Sequence, residues 1–297
     1  MYNRKQIPLI NRLPITRIKL VIARVLYRIL SILLRQDQRY IRRDGINYKV
    51  DLTEGIDFSI FLFGNFQRYI TQNRYFSLPD DAIVFDIGAN IGNMAFKFAQ
   101  LVQKGCVYAF EPTNYAFNKF KINLALNPEL SRRIMPIQLF VSEHSEIKHK
   151  IKAYSSWRID GKYADAHPLH GGIINSAESV AAVTIDDFCR EREIPRIDLI
   201  KIDTDGFEYF ILRGAKKYLG KFLPYIIFEI GIYVMEERGI SFEQYYDYLS
   251  SLGYNLINAK NGKDVTIENY RKQIPLRSTT DIIAIPPTPL INRNNEK

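Results

Sequence analysis

At 297 residues, 46% of them hydrophobic and 25% charged, the chain can bury a sizeable core as one large domain, with or without an appendage. Two cysteines, Cys106 and Cys189, make no disulfide framework and no zinc spacing, so they read as free buried thiols in a reducing, cytoplasmic setting. The net charge of +9 is lopsided: residues 1–43 hold 11 Lys/Arg against one acid, leaving a near-neutral body that argues against a nucleic-acid partner.

Residues 14–35 predict an amphipathic helix, with Arg17, Arg24, Arg28, Ser31 and Arg35 on one narrow polar stripe. No uncharged run nears the roughly 18 residues that would span a bilayer. Arginines interrupt the apolar stretch and no small-residue cleavage site follows, which argues against a secretory signal. Two readings stay open: a helix lying in an anionic membrane surface, or one packed on the domain or on a partner chain. Residues 45–63 alternate enough to predict two short strands, one around Ile46–Leu52 and one around Phe58–Leu62. Phe66–Phe76 reads as helix.

Ala82–Phe85 is a short apolar strand that breaks into a glycine turn. A helix follows, its face carried by Ile91, Met94, Ala95, Phe98, Leu101 and Val102. Strand, turn and helix place backbone N–H groups at the carboxyl end of a strand, where nucleotide-like ligands bind in open α/β sheets. The spacing Asp86-x-Gly88-x-x-x-Gly92 has two glycines where a dinucleotide site has three, and an acid in front that would repel a pyrophosphate. It suits a cofactor with an amino group and a sulfonium, S-adenosylmethionine. The plainer alternative is an ordinary turn in which Gly88 supplies a positive φ.

Cys106–Phe110 is the next buried strand. Glu111 follows it, 25 residues after Asp86, where a ribose diol would be gripped, unless it is a solvated strand-end acid. A helix over 114–127 and a strand over 134–141 lead to Ser142 and Glu143, placed where an adenine edge could be met. Residues 144–182 hold all four histidines and the single Trp157, and 154–177 reads as a substrate-facing loop. His170, beside Gly171-Gly172, is its candidate catalyst, the alternative being a surface polar group. Ile197–Ile202 predicts a buried strand with Asp203, Asp205 and Glu208 at its exit, then a helix over Gly206–Gly220. Pro224–Ile230 is a strand ending on Glu229, 241–252 a helix, and Thr280–Ile285 the last strand. Residues 286–297 read as a disordered tail.

Asp86, Glu111, Asp203 and Glu229 all stand at strand ends, so a parallel sheet would bring them to one crevice. Asp205 could be only a helix cap. Asp203 is the acid favoured at the reacting centre, and Lys201, two residues earlier, points to the same side as its counter-charge. Asp203 with Asp205, Glu208 or Glu229 could hold a divalent metal, yet no ligand spacing demands one and none is assigned.

Phe85–Gly92, Phe110-Glu-Pro112, Val183-Thr-Ile-Asp186, Ile200–Glu208, Gly214-Ala215 and Phe228-Glu229 together resemble the FkbM-type methyltransferases, in the family's order and spacing, over about residues 80–232. The resemblance implies a class I, Rossmann-like doubly wound α/β sheet, carried here with an N-terminal amphipathic extension. It also implies S-adenosylmethionine-dependent O-methylation of a sugar, glycolipid or secondary metabolite. Cofactor contacts carry over from the resemblance to Asp86, Gly88, Asn90, Gly92 and Glu111. With the reading of the residues themselves, the cofactor set is these with Ala89, Ser142 and Asp203, and the catalytic candidates are Asp203, Lys201, Glu229 and His170. Asp205 stands where the family more usually has Glu. The domains expected are 1–44 (basic and amphipathic), 45–285 (catalytic) and 286–297 (tail). A nucleic-acid methyltransferase is the rival enzyme, but Asp203-Thr-Asp-Gly206 replaces the Asn/Asp-Pro-Pro-aromatic turn of amino-methylating enzymes. A non-catalytic cofactor-binding module is the other rival. The partner expected is a small-molecule or glycolipid acceptor, not nucleic acid, with peripheral contact at the inner membrane surface as one of the two open readings of 14–35.

Overall fold

A computed structural model of the chain describes residues 16–64, 67–146, 152–155, 157–161, 173–176, 180–276 and 278–287. The chain opens with helix α1 (Thr16–Leu34), an antiparallel hairpin of β1 (Gln38–Arg43) and β2 (Ile46–Asp51), helix α2 (Gly55–Phe63) and the single turn α3 (Arg68–Thr71). Strand and helix then alternate through β3 (Ile83–Ile87), α4 (Asn93–Leu101), β4 (Cys106–Phe110), α5 (Asn114–Ala125), α6 (Pro128–Ser131) and β5 (Ile134–Ile137). Four short strands, β6 (Phe140–Val141), β7 (Lys152–Ser155), β8 (Ile173–Ser176) and β9 (Ala182–Val183), precede α7 (Ile185–Glu191). The second half runs β10 (Leu199–Ile202), α8 (Glu208–Arg213), α9 (Lys216–Phe222), β11 (Tyr225–Ile230), α10 (Ile232–Arg238), α11 (Phe242–Ser251), β12 (Asn255–Asn258), α12 (Tyr270–Gln273) and β13 (Thr280–Ile285).

Among the described residues, seven strands form the central sheet in the order β12-β13-β11-β10-β3-β4-β5. The pairs from β11 to β5 are parallel, while β13 runs antiparallel to both its neighbours. This is the doubly wound α/β architecture that the resemblance implied. Its topological switch lies between β3 and β10, where such sheets open a ligand crevice. The central strands read as continuous apolar runs because helices cover both faces.

Side chains alternate between the two faces, and the alternation sorts the core. Phe85, Ile87, Phe110, Ile200, Ile202, Ile226 and Phe228 pack on one side with Phe188, Ile211 and Leu219 from the later helices. Val84, Val107, Ala109, Leu199, Tyr225, Ile227 and Ile283 face the other side, against Phe58, Ile70, Phe96, Phe98 and Phe120 from α2 to α5. Continuing that second face by steps of two leads from Val84 to Asp86, Ala109 to Glu111, Leu199 to Lys201 and Asp203, and Ile227 to Glu229. The face is hydrocarbon along most of its length and ionisable at one edge.

Three expectations are corrected. Phe58–Leu62 is not a strand but part of α2, closed by Gly64 in the left-handed region (φ 71). The segment is apolar on nearly every position, so its period was uninformative, and burial against the core decided for helix. The helix over Phe66–Phe76 shrinks to α3, and residues 65 and 66 lie outside the described set. The Asn73 side chain takes the N–H of Tyr75 (2.8 Å) and so competes with helical pairing. The helix over Gly206–Gly220 is two, α8 and α9, meeting at Gly214, whose Cα lies so close to the Ser142 carbonyl that a Cβ would overlap it. Residues 288–297 lie outside the described set.

Candidate active site

The β3–α4 turn supplies shape rather than amide donors. Gly88 (φ 84) backs directly onto the Asp203 carbonyl, which any Cβ would overlap, and Gly92 (φ 88) backs onto the Phe120 ring. Both sites therefore demand glycine for space as well as for conformation. The turn does bring backbone N–H groups to this edge, but Gly88 and Ala89 both donate to the Phe110 carbonyl (3.0 and 2.9 Å), Gly92 donates to the Ala89 carbonyl (2.8 Å) and Asn90 donates to Glu111 Oε2 (3.0 Å). With those amides spent inside the turn, it is a poor cradle for phosphate, in keeping with the acid before it.

Asp86 is fully buried, and neither of its carboxylate oxygens has a hydrogen-bond partner. Its register partner on β10 is Lys201, so the two side chains stand on the same face. Lys201 Nζ lies 3.7 Å from Asp86 Oδ1 and 3.1 Å from Asp203 Oδ2. Burial pushes the Asp86 carboxyl up to about 6 against the pull of Lys201. Burial alone would lower Lys201, but Asp203 and Asp86 outweigh it and hold the ammonium firmly protonated.

Asp203 sits just past β10, half-buried. Its Oδ2 also accepts from Gln67 Nε2 (2.9 Å), a residue held in the left-handed region (φ 54). Glu229 accepts from the Thr279 hydroxyl (2.6 Å); burial, then Asp203, Asp281 and Asp205, push its carboxyl well above the usual range. Asp281 stands opposite Glu229 in register and accepts from the Tyr69 hydroxyl. Asp205, also left-handed (φ 52), is pushed up to about 8 by burial and then by Asp203 and Glu208. It does not cap a helix. Glu208 locks this loop by accepting from the Thr204 N–H and hydroxyl (2.8 and 3.0 Å) and the Gly206 N–H (2.9 Å).

Glu111 is buried and accepts from Thr113 N–H and hydroxyl on Oε1 (2.9 and 2.6 Å), and from Asn90 on Oε2, which keeps room for a further donor. Ser142 donates its N–H to the Val183 carbonyl (3.0 Å), and its own carbonyl lies against Gly214. His170 and most of the 154–177 loop lie outside the described residues, and His144 is exposed. Trp157 is described, and its indole packs over Gly55. Among the described residues no three His, Cys, Asp or Glu side chains converge as a metal site.

Three members of the site escaped sequence reasoning: Gln67, Tyr69 and Asp281. Asp281 left a trace, since an antiparallel last strand brings its beginning, not its end, to the shared edge. Gln67 and Tyr69 left none.

S-adenosylmethionine fits these residues on observations of the cleft itself. A buried carboxylate with two unused oxygens and an excess of acids over one lysine suit a cation. The glycine-backed turn and the spare acceptor capacity of Glu111 suit a nucleoside.

The model of the family described as "Methyltransferase FkbM domain" matches residues 86–256. Among curated relatives, the chain is 30% identical over 155 residues to the 2-O-methyltransferase NoeI of Sinorhizobium fredii, covering 48% of this chain and 60% of NoeI. It is 29% identical over 162 residues to the 31-O-demethyl-FK506 methyltransferase FkbM of Streptomyces tacrolimicus, covering 46% and 60%. The hexuronic acid methyltransferase AglP of Haloferax volcanii is 22% identical over 151 residues, covering 51% and 56%. The chain thus spans less than two thirds of each of these relatives. A solved FkbM methyltransferase from Methylobacillus flagellatus is 17% identical, with a TM-score of 0.45, over 73% of this chain and 47% of that one. Since the family model covers more than half of the sequence, from the acid before the glycine turn to the sixth strand of the sheet, the chain belongs to the FkbM-domain methyltransferases.

Proposed function

We propose that this methyltransferase transfers the methyl group of S-adenosylmethionine to a hydroxyl of a sugar, a glycolipid or a secondary metabolite. The observation that carries the reading is Asp203, a carboxylate whose Oδ2 is pinned by both Lys201 and Gln67. That leaves Oδ1 for an acceptor. NoeI and AglP, named for 2-O-methylation and for hexuronic acid, favour a saccharide hydroxyl.

When bound, S-adenosylmethionine supplies a methyl carbon on a sulfonium leaving group. Asp86 would face its positive charge and Glu111 its ribose, with Gly88, Ala89, Asn90 and Gly92 as the wall beneath. Asp203 would take the acceptor's hydroxyl proton as that oxygen receives the methyl group. Lys201 fixes that carboxylate and stays protonated throughout. Burial and then the acids around it push the Glu229 carboxyl well above the usual range, so Glu229 would stand beside the base and hydrogen-bond the acceptor. A positioned base contributes about 10²–10⁴-fold, and alignment supplies much of the remainder. His170 stays an additional candidate at the acceptor side. The free thiols Cys106 and Cys189 support a reducing, cytoplasmic setting.

Tritiated-methyl transfer to saccharide and lipid fractions, with RNA in parallel, tests the reading. Label in a hydroxyl of a saccharide-bearing product supports it. Label in RNA, or none in any fraction despite donor uptake, overturns it.

A further inference from the structure

Helix α1 resolves the two readings of the N-terminal segment by having three faces instead of two. At about 100° per residue, Ala23, Leu26, Tyr27, Leu30 and Leu34 fall together and pack on the domain core. Tyr27 meets Phe58 edge-on at 6.1 Å, and its hydroxyl donates to Asp37 Oδ1 (2.8 Å). Arg39 donates to the Leu34 carbonyl at the helix end. The helix is thereby held in one orientation. A second face carries Val21, Val25, Ile29, Ile32 and Leu33, between 51% and 80% exposed. Between these two runs the third face, Arg24, Arg28, Ser31 and Arg35, with Arg28 and Arg35 exposed.

Isolated exposed aliphatics are ordinary, but five on one stripe are not. What covers them is indicated by charge. The stripe is bordered along one side by arginines, and residues 1–43 carry 11 cations. Their one acid, Asp37, is occupied by Tyr27. The remainder of the molecule is near neutral, so the cationic field is confined to this end. Among the described residues no helix is long and apolar enough to cross a membrane. An apolar stripe flanked by arginines, on a helix fixed along its opposite side, matches a helix lying in the plane of a lipid headgroup layer.

We infer that the exposed Val21–Leu33 stripe of α1, with Arg28 and Arg35, docks the protein on an anionic membrane surface. This does not rest on the reaction proposed above.

The test is co-sedimentation of the full chain with phosphatidylglycerol-rich vesicles and with pure phosphatidylcholine vesicles, at low and high salt. Uptake by the anionic vesicles alone is expected, falling about tenfold in Val25→Ser/Ile29→Ser/Ile32→Ser and about fivefold in Arg28→Gln/Arg35→Gln. Thermal melts should match the parent, because all five side chains are exposed. Equal uptake by the serine variant overturns the inference. So do absence of uptake, a dimer in sedimentation velocity that the serine variant dissolves, and capture of an RNA homopolymer in place of vesicles.

Discussion

Two lysines in this protein each stand between two carboxylates, yet the surroundings give them opposite roles. Lys119 on α5 reaches Glu54 (3.0 Å) and Asp57 (2.6 Å), with Tyr115 donating to Glu54 and the Asp51 N–H to Asp57 Oδ2 (2.7 Å). Only Asp57 Oδ1 is left over there. That group straps α2 to α5 with three of its four carboxylate oxygens bonded. Lys201 reaches Asp86 and Asp203, but Asp86 keeps two idle oxygens while Asp205, Glu229 and Asp281 crowd the same edge. The first cluster holds two helices together, whereas the second, with more carboxylates than cations crowded at one edge, suits a cation from outside.

The sharpest test of that contrast is Asp203→Asn. Methyl transfer should fall by about 10²–10⁴-fold, with donor affinity by calorimetry within about threefold. Full turnover would remove Asp203 from the reaction. Lys119→Met should do the reverse, costing about 3 kcal/mol in urea unfolding because two buried acids lose their cation, with kcat unchanged in the folded fraction. A folded Lys119→Met protein with lost turnover would erase the distinction between the two lysines.

A pH series tests the Lys201 edge next, through donor affinity, since burial pushes Asp57 beside Lys119 up to about 6 as well. Asp86 and Asp205 are pushed up to about 6 and about 8, above the ordinary carboxylate range. Such groups favour the fold most while protonated, at or below about pH 4, and that contribution is lost as pH rises through their folded values. The melting temperature of the donor-free protein should therefore fall between about pH 4 and 8. A cationic donor binds the ionised cleft, so its affinity should rise over the same window, about tenfold in all, and less steeply in Asp205→Asn. A flat affinity profile would show that these acids do not meet the donor's charge. The smallest effect expected is for Gln67→Leu, which removes one hydrogen bond to Asp203 and should lower kcat about fivefold with the melting temperature little changed. No change in kcat would reduce Gln67 to a packing residue.

Much of the site could be read before any fold was known, because its signals are local. Asp86, Gly88 and Gly92 belong to one turn, Glu111 closes a strand, and Lys201 and Asp203 are two residues apart on one strand's face. The parts that stayed hidden depend on distant partners. Gln67 meets Asp203 across 136 residues of sequence and Tyr69 meets Asp281 across 212, and no period or spacing encodes such pairings. The partners of the glycine turn's amides are hidden for a related reason. A strand–turn–helix pattern places N–H groups at the sheet edge, but whether Phe110 or a ligand takes them depends on β4 lying alongside.

From its order of residues alone, this chain determined the alternation of strand and helix, the glycine turn, the acids at the strand ends and the basic, apolar N-terminal helix. These follow from side-chain size, charge and spacing within a few residues. Tertiary structure decided which acids share an edge, which of them are paired, and which face of α1 stays bare. Burial and ionisation are set by neighbours that only folding brings together, so a carboxylate's identity is written locally and its charge is not.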